Sequence, residues 1–126
     1  IDLVIGHGTH VPRSVIVHNE KYAVAGLGNF LSNQPGDERR RCSECPPATQ
    51  DGMILWLEME ENEEGKIVVV QASYYPTWVD RTNYEIVLLD FHESSDISSE
   101  TLLVSAERTA NVVEPLLKRA TSLPGD

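Results

Sequence analysis

Basic residues are scarce in this chain. Ten Lys and Arg stand against twenty Asp and Glu, so the 126 residues carry a formal net charge of -10. A surface of that sign repels nucleic acid and anionic membranes. A polyanionic substrate meets the same repulsion unless a metal ion or the local run Arg39-Arg40-Arg41 offsets it. Long apolar runs are also missing: nothing approaches the roughly 20 consecutive apolar residues of a membrane-crossing helix. The first residues do not show the basic, apolar and small-residue succession of a secretory signal. A soluble chain with no nucleic-acid partner and no membrane span is therefore expected. Cysteine is limited to Cys42 and Cys45, which excludes a multi-bridge framework and leaves a closed zinc site without its other ligands.

What is present reads as one strand-rich α+β unit. Leu3, Val4 and Ile5 form a short apolar run stopped by Gly6, the pattern of a buried strand feeding a loop. The chain opens directly on that apolar run, which gives the expectation of a fragment cut upstream of a core strand. Residues 14–18 and 22–26 predict a hairpin around the polar turn Asn19-Glu20-Lys21. Residues 32–51 are rich in Pro, Gly, Glu, Arg and Cys and predict a long mobile loop. Met53, Leu55, Leu57 and Met59 alternate with Ile54, Trp56, Glu58 and Glu60, so 53–60 reads as a strand paired with 66–75, which Pro76 should end. Residues 86–89 predict one more strand. Leu102, Leu103, Ala106, Ala110 and Val113 follow helical spacing behind Ser98 or Ser99 as cap. Pro115 should stop that helix, and residues 116–126 are expected to fray.

The residues with chemical potential begin at Gly6-His7-Gly8-Thr9-His10. Two imidazoles at the end of a buried strand, with glycines that let the backbone turn, can converge on one metal ion. Neutral imidazole suits Zn, Mn or Fe, yet two nitrogens leave most of a four- to six-coordinate shell unfilled. The competing reading is a polar loop whose histidines bond to backbone carbonyls. A second motif, Leu27-Gly28-Asn29-Phe30, offers a positive-φ turn at Gly28, a polar side chain at Asn29 and an apolar anchor at Phe30. It reads either as a structural turn behind the histidine loop or, through Asn29, as a support for a bound metal's ligands or for a ligand itself.

Gly6-His7-x-x-His10-Val11, a hairpin, then Leu27-Gly28-Asn29-Phe30 and Gln34, in this order and spacing, resemble the C-terminal part of the CapA family. Its members are linked to capsule and poly-gamma-glutamate synthesis and belong to the calcineurin-like metallophosphoesterase superfamily. The resemblance is specific from Asp2 to Gln34 and looser from Asp51 to Pro76. It implies the C-terminal part of a four-layer α/β sandwich, a parent protein at the cell envelope or its outer face, and a divalent metal (Mn, Zn or Fe) with His7 and His10 among its ligands. The implied partners are the rest of the parent domain, N-terminal to Ile1, and other components of polymer synthesis or export. Two parent functions follow: a metal-dependent phosphoesterase-like hydrolase, or a non-catalytic assembly or export component whose histidine loop holds structure or ligand. Gly8, where many members carry a further histidine, motivates the second. No catalytic residue is assigned. The superfamily's other ligands precede the histidine loop, so the chain alone is expected to lack activity and to hold metal weakly.

An extracellular parent also implies a local disulfide between Cys42 and Cys45; a thioredoxin-like pair would open a helix beside a strand, whereas Pro46-Pro47 follow here. Asp90-Phe91-His92 mimics an Asp-x-His ligand pair but follows the histidine loop, and reads as the end of a strand on a solvated edge. The acidic run Glu58, Glu60, Glu61, Glu63 and Glu64 reads as a solvated edge and turn, with calcium as the residual alternative. Thiol titration of the chain under non-reducing conditions should find no free thiol. Two free thiols would exclude the disulfide.

Overall fold

Runs rich in β-branched, aromatic and other apolar residues produce the two longest elements of the computed structural model, which describes residues 1–32, 34, 45–93, 97–114 and 116–123. These are strands β4 (Asp51–Glu61) and β5 (Ile67–Asp80), paired antiparallel from Asp51 opposite Trp78 to Glu61 opposite Ile67. The ladder shifts register between Glu58 and Met59, a bulge that bends the end projecting into solvent. Asn62 closes the turn: its side-chain oxygen accepts from the amides of Glu64 at 3.0 Å and Lys66 at 2.9 Å, and Gly65 takes φ +74°. The five acidic residues of this end are all exposed, as a solvated edge requires.

Three earlier strands form a smaller sheet in the order β1 (Leu3–Ile5), β3 (Lys21–Val24), β2 (Val15–His18). β2 and β3 are the expected hairpin. Its two-residue turn puts Asn19 at φ 48° and Glu20 at φ 62°, the primed geometry that matches strand twist. β1 joins β3 in parallel, with Ile5 opposite Val24, and Lys21 pairs with the Asp2 carboxylate and holds it below its ordinary pKa.

β5 is the centre of the second sheet. It pairs with β4 on one side, and on the other with β6 (Glu85–Leu88) and, in parallel, with the short strand β7 (Lys118–Arg119). Helix α1 (Ser99–Val113) packs against β4 and β5, burying Ser105, Ala106, Thr109 and Val113. The core joins Val15 and Val24 of the first sheet to Met53, Ala72 and Tyr74 of the second and to Val113 and Leu117.

Five expectations about the fold need correction. The strand over Leu3–Ile5 forms but is not buried, with Val4 49% and Ile5 47% exposed at the edge of the small sheet. Pro76 does not end β5. It sits opposite Met53, whose amide points away from β5 to the Leu27 carbonyl, while the Pro76 carbonyl accepts from Leu89 on the far side. At such a non-hydrogen-bonded pair the proline nitrogen faces the gap between β7 and β6, so no ladder bond is lost. The tail expected to fray is docked over 116–123: Leu117 is buried, the Ala120 amide donates to Tyr74, the Tyr75 hydroxyl donates to Ser122, and Arg119 forks onto Asp90. Ser98 occupies the N-cap position of α1 without a side-chain capping bond, and Leu103 faces solvent. Within the expected loop, Pro47–Gln50 forms a 3-10 turn and Asp51 is buried, whereas residues 33 and 35–44, including Arg39-Arg40-Arg41 and Cys42, lie outside the described residues. Pro115 and residues 124–126 lie outside them too, so the helix is followed to its end at Val113, with Glu114 extended.

Two polar contacts, each with a buried partner on the sheet, tie it to the helix and to Glu114 just after the helix. The Asp51 carboxylate, 1% exposed, accepts from Ser105 Oγ at 2.6 Å and from Arg108 Nε and Nη2 at 2.6 and 2.7 Å. Tyr74 Oη donates to Glu114 at 2.8 Å, and burial together with that carboxylate pushes the phenol well above its ordinary pKa. No helix among the described residues is long and apolar enough to cross a membrane. Removing one partner of a buried, forked ion pair leaves the other unsatisfied. Arg108 is 35% exposed and can be hydrated if unpaired, whereas the Asp51 carboxylate is buried. Arg108→Ala should therefore lower unfolding stability by roughly 3 kcal/mol in a urea melt, and a midpoint unchanged within error would contradict the role given to Asp51.

Candidate functional site

β1 delivers the histidine loop to the edge of the small sheet. The Gly6 amide donates to the Val24 carbonyl at 2.7 Å, and the chain returns to pair again where the Arg13 amide donates to Gly26 at 3.0 Å and Pro12 bridges Leu27. Between these points the loop turns through left-handed conformations at Gly8 (φ +89°) and His10 (φ +60°), and Thr9 Oγ1 closes it by donating to Val11 at 2.7 Å. A non-glycine residue in this region costs about 1–2 kcal/mol, so the contacts around His10 must hold it there.

Those contacts come from Asn29. The segment Leu27-Gly28-Asn29 leaves the small sheet and crosses the start of β4, with Gly28 bridged to Gly52 and the Met53 amide donating to Leu27 at 2.9 Å. The crossing is a contact of backbone on backbone. A Cβ on Gly28, at φ +79°, would lie 2.5 Å from the Asp51 carbonyl oxygen, and one on Gly52 would lie 2.3 Å from the Asn29 carbonyl oxygen. Only glycine fits at either place.

Asn29, fixed in this way, uses its whole side-chain amide. Nδ2 donates to the Thr49 carbonyl at 2.8 Å and to Gln34 Oε1 at 3.1 Å, while Oδ1 lies 3.0 Å from His10 Nδ1. The Gln34 main chain is itself held, its backbone N–H donating to Ser32 Oγ at 3.1 Å. Thr49 is 4% exposed and anchored by its hydroxyl, which donates to the Pro46 carbonyl at 2.8 Å. His7 makes no side-chain bond to this cluster. Instead it joins Asn29, Leu3, Ile5, Phe30 and Leu55 in lining an open, largely apolar groove of about 460 Å³ between β1 and β4.

The structure thus places His10, Asn29 and Gln34 in one bonded cluster, while His7 lines the groove that Asn29 borders and His10 is not part of that lining. Both imidazole residues are exposed. Phe30 does not anchor the turn in the core as expected: it is 58% exposed on the groove wall, because the glycine crossing already fixes the turn. Asp90 forks with Arg119 and Phe91 lies 6.2 Å from the Tyr75 ring, so this segment serves the docking of the C-terminal tail. Cys45 is disulfide-bonded, while the expected partner Cys42 lies outside the described residues. Thr49 and Gly52 escaped the sequence reading. Thr49 acts through its main chain, which leaves no side-chain signal, and the glycine following Asp51 was the one available clue. Among the described residues no group of three or more His, Cys, Asp or Glu converges as a metal cage. Two imidazoles alone would leave most of a metal's coordination shell unfilled.

Neither comparison with protein-family models nor comparison with curated proteins finds a match to this chain. The residues of the site therefore carry the functional argument alone. A methyl group at Gly52 would drive against the Asn29 main chain, so Gly52→Ala should destabilise the chain by about 1–3 kcal/mol and shift the Asn29 side-chain amide resonances. Unchanged resonances and stability would show that the crossing does not position Asn29.

Proposed function

We propose that this chain is one wall of a metallophosphoesterase-like site, contributing His7 and His10 as imidazole ligands, with Asn29 positioning His10. One observation supports the reading above the others: Asn29 is shared, holding His10 through Nδ1 while lining the groove with His7. A surface loop with two histidines has no need of such an arrangement. The sheet supports the architectural part, the C-terminal portion of a four-layer sandwich. β1 pairs in parallel, yet Val4 and Ile5, on opposite faces, are 49% and 47% exposed. Parallel strands are ordinarily covered on both faces, and the rest of a parent domain would supply that cover.

The parent protein in this reading works in capsule or poly-gamma-glutamate synthesis at the cell envelope and is a metal-dependent hydrolase using Mn, Zn or Fe. A divalent ion there would supply charge to stabilise a reacting phosphate or related group. This chain's part is to present two imidazoles from a rigid strand end and to hold one of them by a satisfied amide. Gly8 favours a second reading, a non-catalytic assembly or export component, because it leaves the loop short of a third imidazole.

A longer protein containing this chain should hydrolyse a phosphoester in the presence of Mn or Zn and lose more than about 10-fold in rate on His7→Ala, since changes to groups that merely support a ligand already cost roughly 10–100-fold. Activity untouched by that substitution would reject the hydrolase reading. Calorimetry on the 126-residue chain should find only weak binding of Zn or Mn; tight stoichiometric binding would show that the chain carries a complete site.

A further inference from the structure

We infer that Asn29, oriented by the Thr49 carbonyl and Gln34, fixes His10 in the Nδ1–H tautomer and so makes Nε2 its one basic atom. The inference deepens the reading of His10 as a ligand and rests on it only for the use to which Nε2 is put; the tautomer follows from the hydrogen bonds themselves. A backbone carbonyl can only accept. The 2.8 Å contact to the Thr49 oxygen therefore requires that the Asn29 nitrogen face it, and the second N–H of the same amide donates to Gln34 Oε1. The opposite amide orientation would set two oxygens against each other at Thr49. With both N–H groups used, Asn29 has only its oxygen left for His10. His10 Nδ1 at 3.0 Å must then be the donor, and in the neutral ring the lone pair lies on Nε2.

The histidine side chain free in water favours the opposite form, with its proton on Nε2, so the cluster reverses the solution preference. It also turns the ring, since the Nδ1–H bond fixes which edge is held and which is presented. Asn29 and Gln34 are positioning residues in this account. Neither has to touch a substrate or metal, and the orienting information comes from the main chain of the 3-10 turn Pro47–Gln50, whose Thr49 carbonyl fixes the asparagine. This is how hydrogen-bonded carbonyls and amides select the coordinating nitrogen of histidine ligands in general, and here the selection is in place without a bound ion.

The test is 15N-detected NMR of the neutral histidine rings in the full chain, with no metal added. His18, exposed on β2, is the internal reference for the unconstrained preference. His10 should show a protonated Nδ1 and an unprotonated Nε2, its tautomer ratio displaced from that of His18 by roughly fivefold or more, the shift that one net hydrogen bond supplies. Asn29→Ala should return His10 to the His18 pattern. Gln34→Ala should leave the Nδ1–H form dominant, because the Thr49 carbonyl still orients the asparagine. A wild-type His10 with its proton on Nε2 would overturn the inference without recourse to any variant, as would a pattern unmoved by Asn29→Ala. The reading requires no metal, so the Nδ1–H form with no metal-dependent function in the parent would reject the proposed function and leave this inference standing.

Discussion

The place of Asn29, and through it of His10, depends on a close approach of main chain to main chain, where Gly28 crosses Gly52. A Cβ on either glycine would stand within 2.5 Å of a carbonyl oxygen, a distance at which the two segments would have to part. The contact lets the Leu27–Asn29 turn sit directly on the first residues of β4, with Pro12 bridged on one side and Met53 bonded on the other. It stitches the three-stranded sheet to the four-stranded one. It also determines that Asn29 faces the Thr49 carbonyl, from which its grip on His10 follows.

Asp51 connects this crossing to the rest of the fold. Its carbonyl oxygen is the atom against which Gly28 is packed, and its buried carboxylate receives Ser105 and Arg108 from the helix. One residue thus supports the turn that carries Asn29 and anchors the element that covers β4 and β5. A buried carboxylate is tolerated only when its oxygens are satisfied, and three donors from α1 meet that need. The helix therefore contributes to the site without lining it: displacing α1 would expose Asp51 and loosen the strand start on which the turn rests.

The strand pattern was legible in the sequence because strand burial has a two-residue period and this chain displays it plainly at Met53, Leu55 and Leu57. Its limits are equally physical. Proline at position 76 reads as a strand terminator when the missing donor is considered alone, and is harmless when that donor position faces a gap between two neighbouring strands. The tail after Pro115 has little periodicity, so nothing local announced that Leu117 would enter the core or that Arg119 would meet Asp90, 29 residues away. Asp51 and Arg108 are 57 residues apart and could be paired only by the fold. In the site, the two histidines and Asn29 were visible as a motif, and the bond between Asn29 and His10 gives that motif a geometry. The part played by Thr49 was invisible because a carbonyl carries no residue identity.

The proposed function requires His7 and His10 to belong to one site, with Asn29 bonded to His10 and bordering the groove that His7 lines. The chain contains its own controls, since its four histidines also include His18 on the small sheet and His92 near the second. The most direct measurement follows all four ring signals as Zn is added to the chain at neutral pH. The account predicts that His7 and His10 respond together, at lower metal concentration than His18 and His92, with the change at His10 centred on Nε2. Equal responses from all four, or a response of His10 that leaves His7 unmoved, would contradict it.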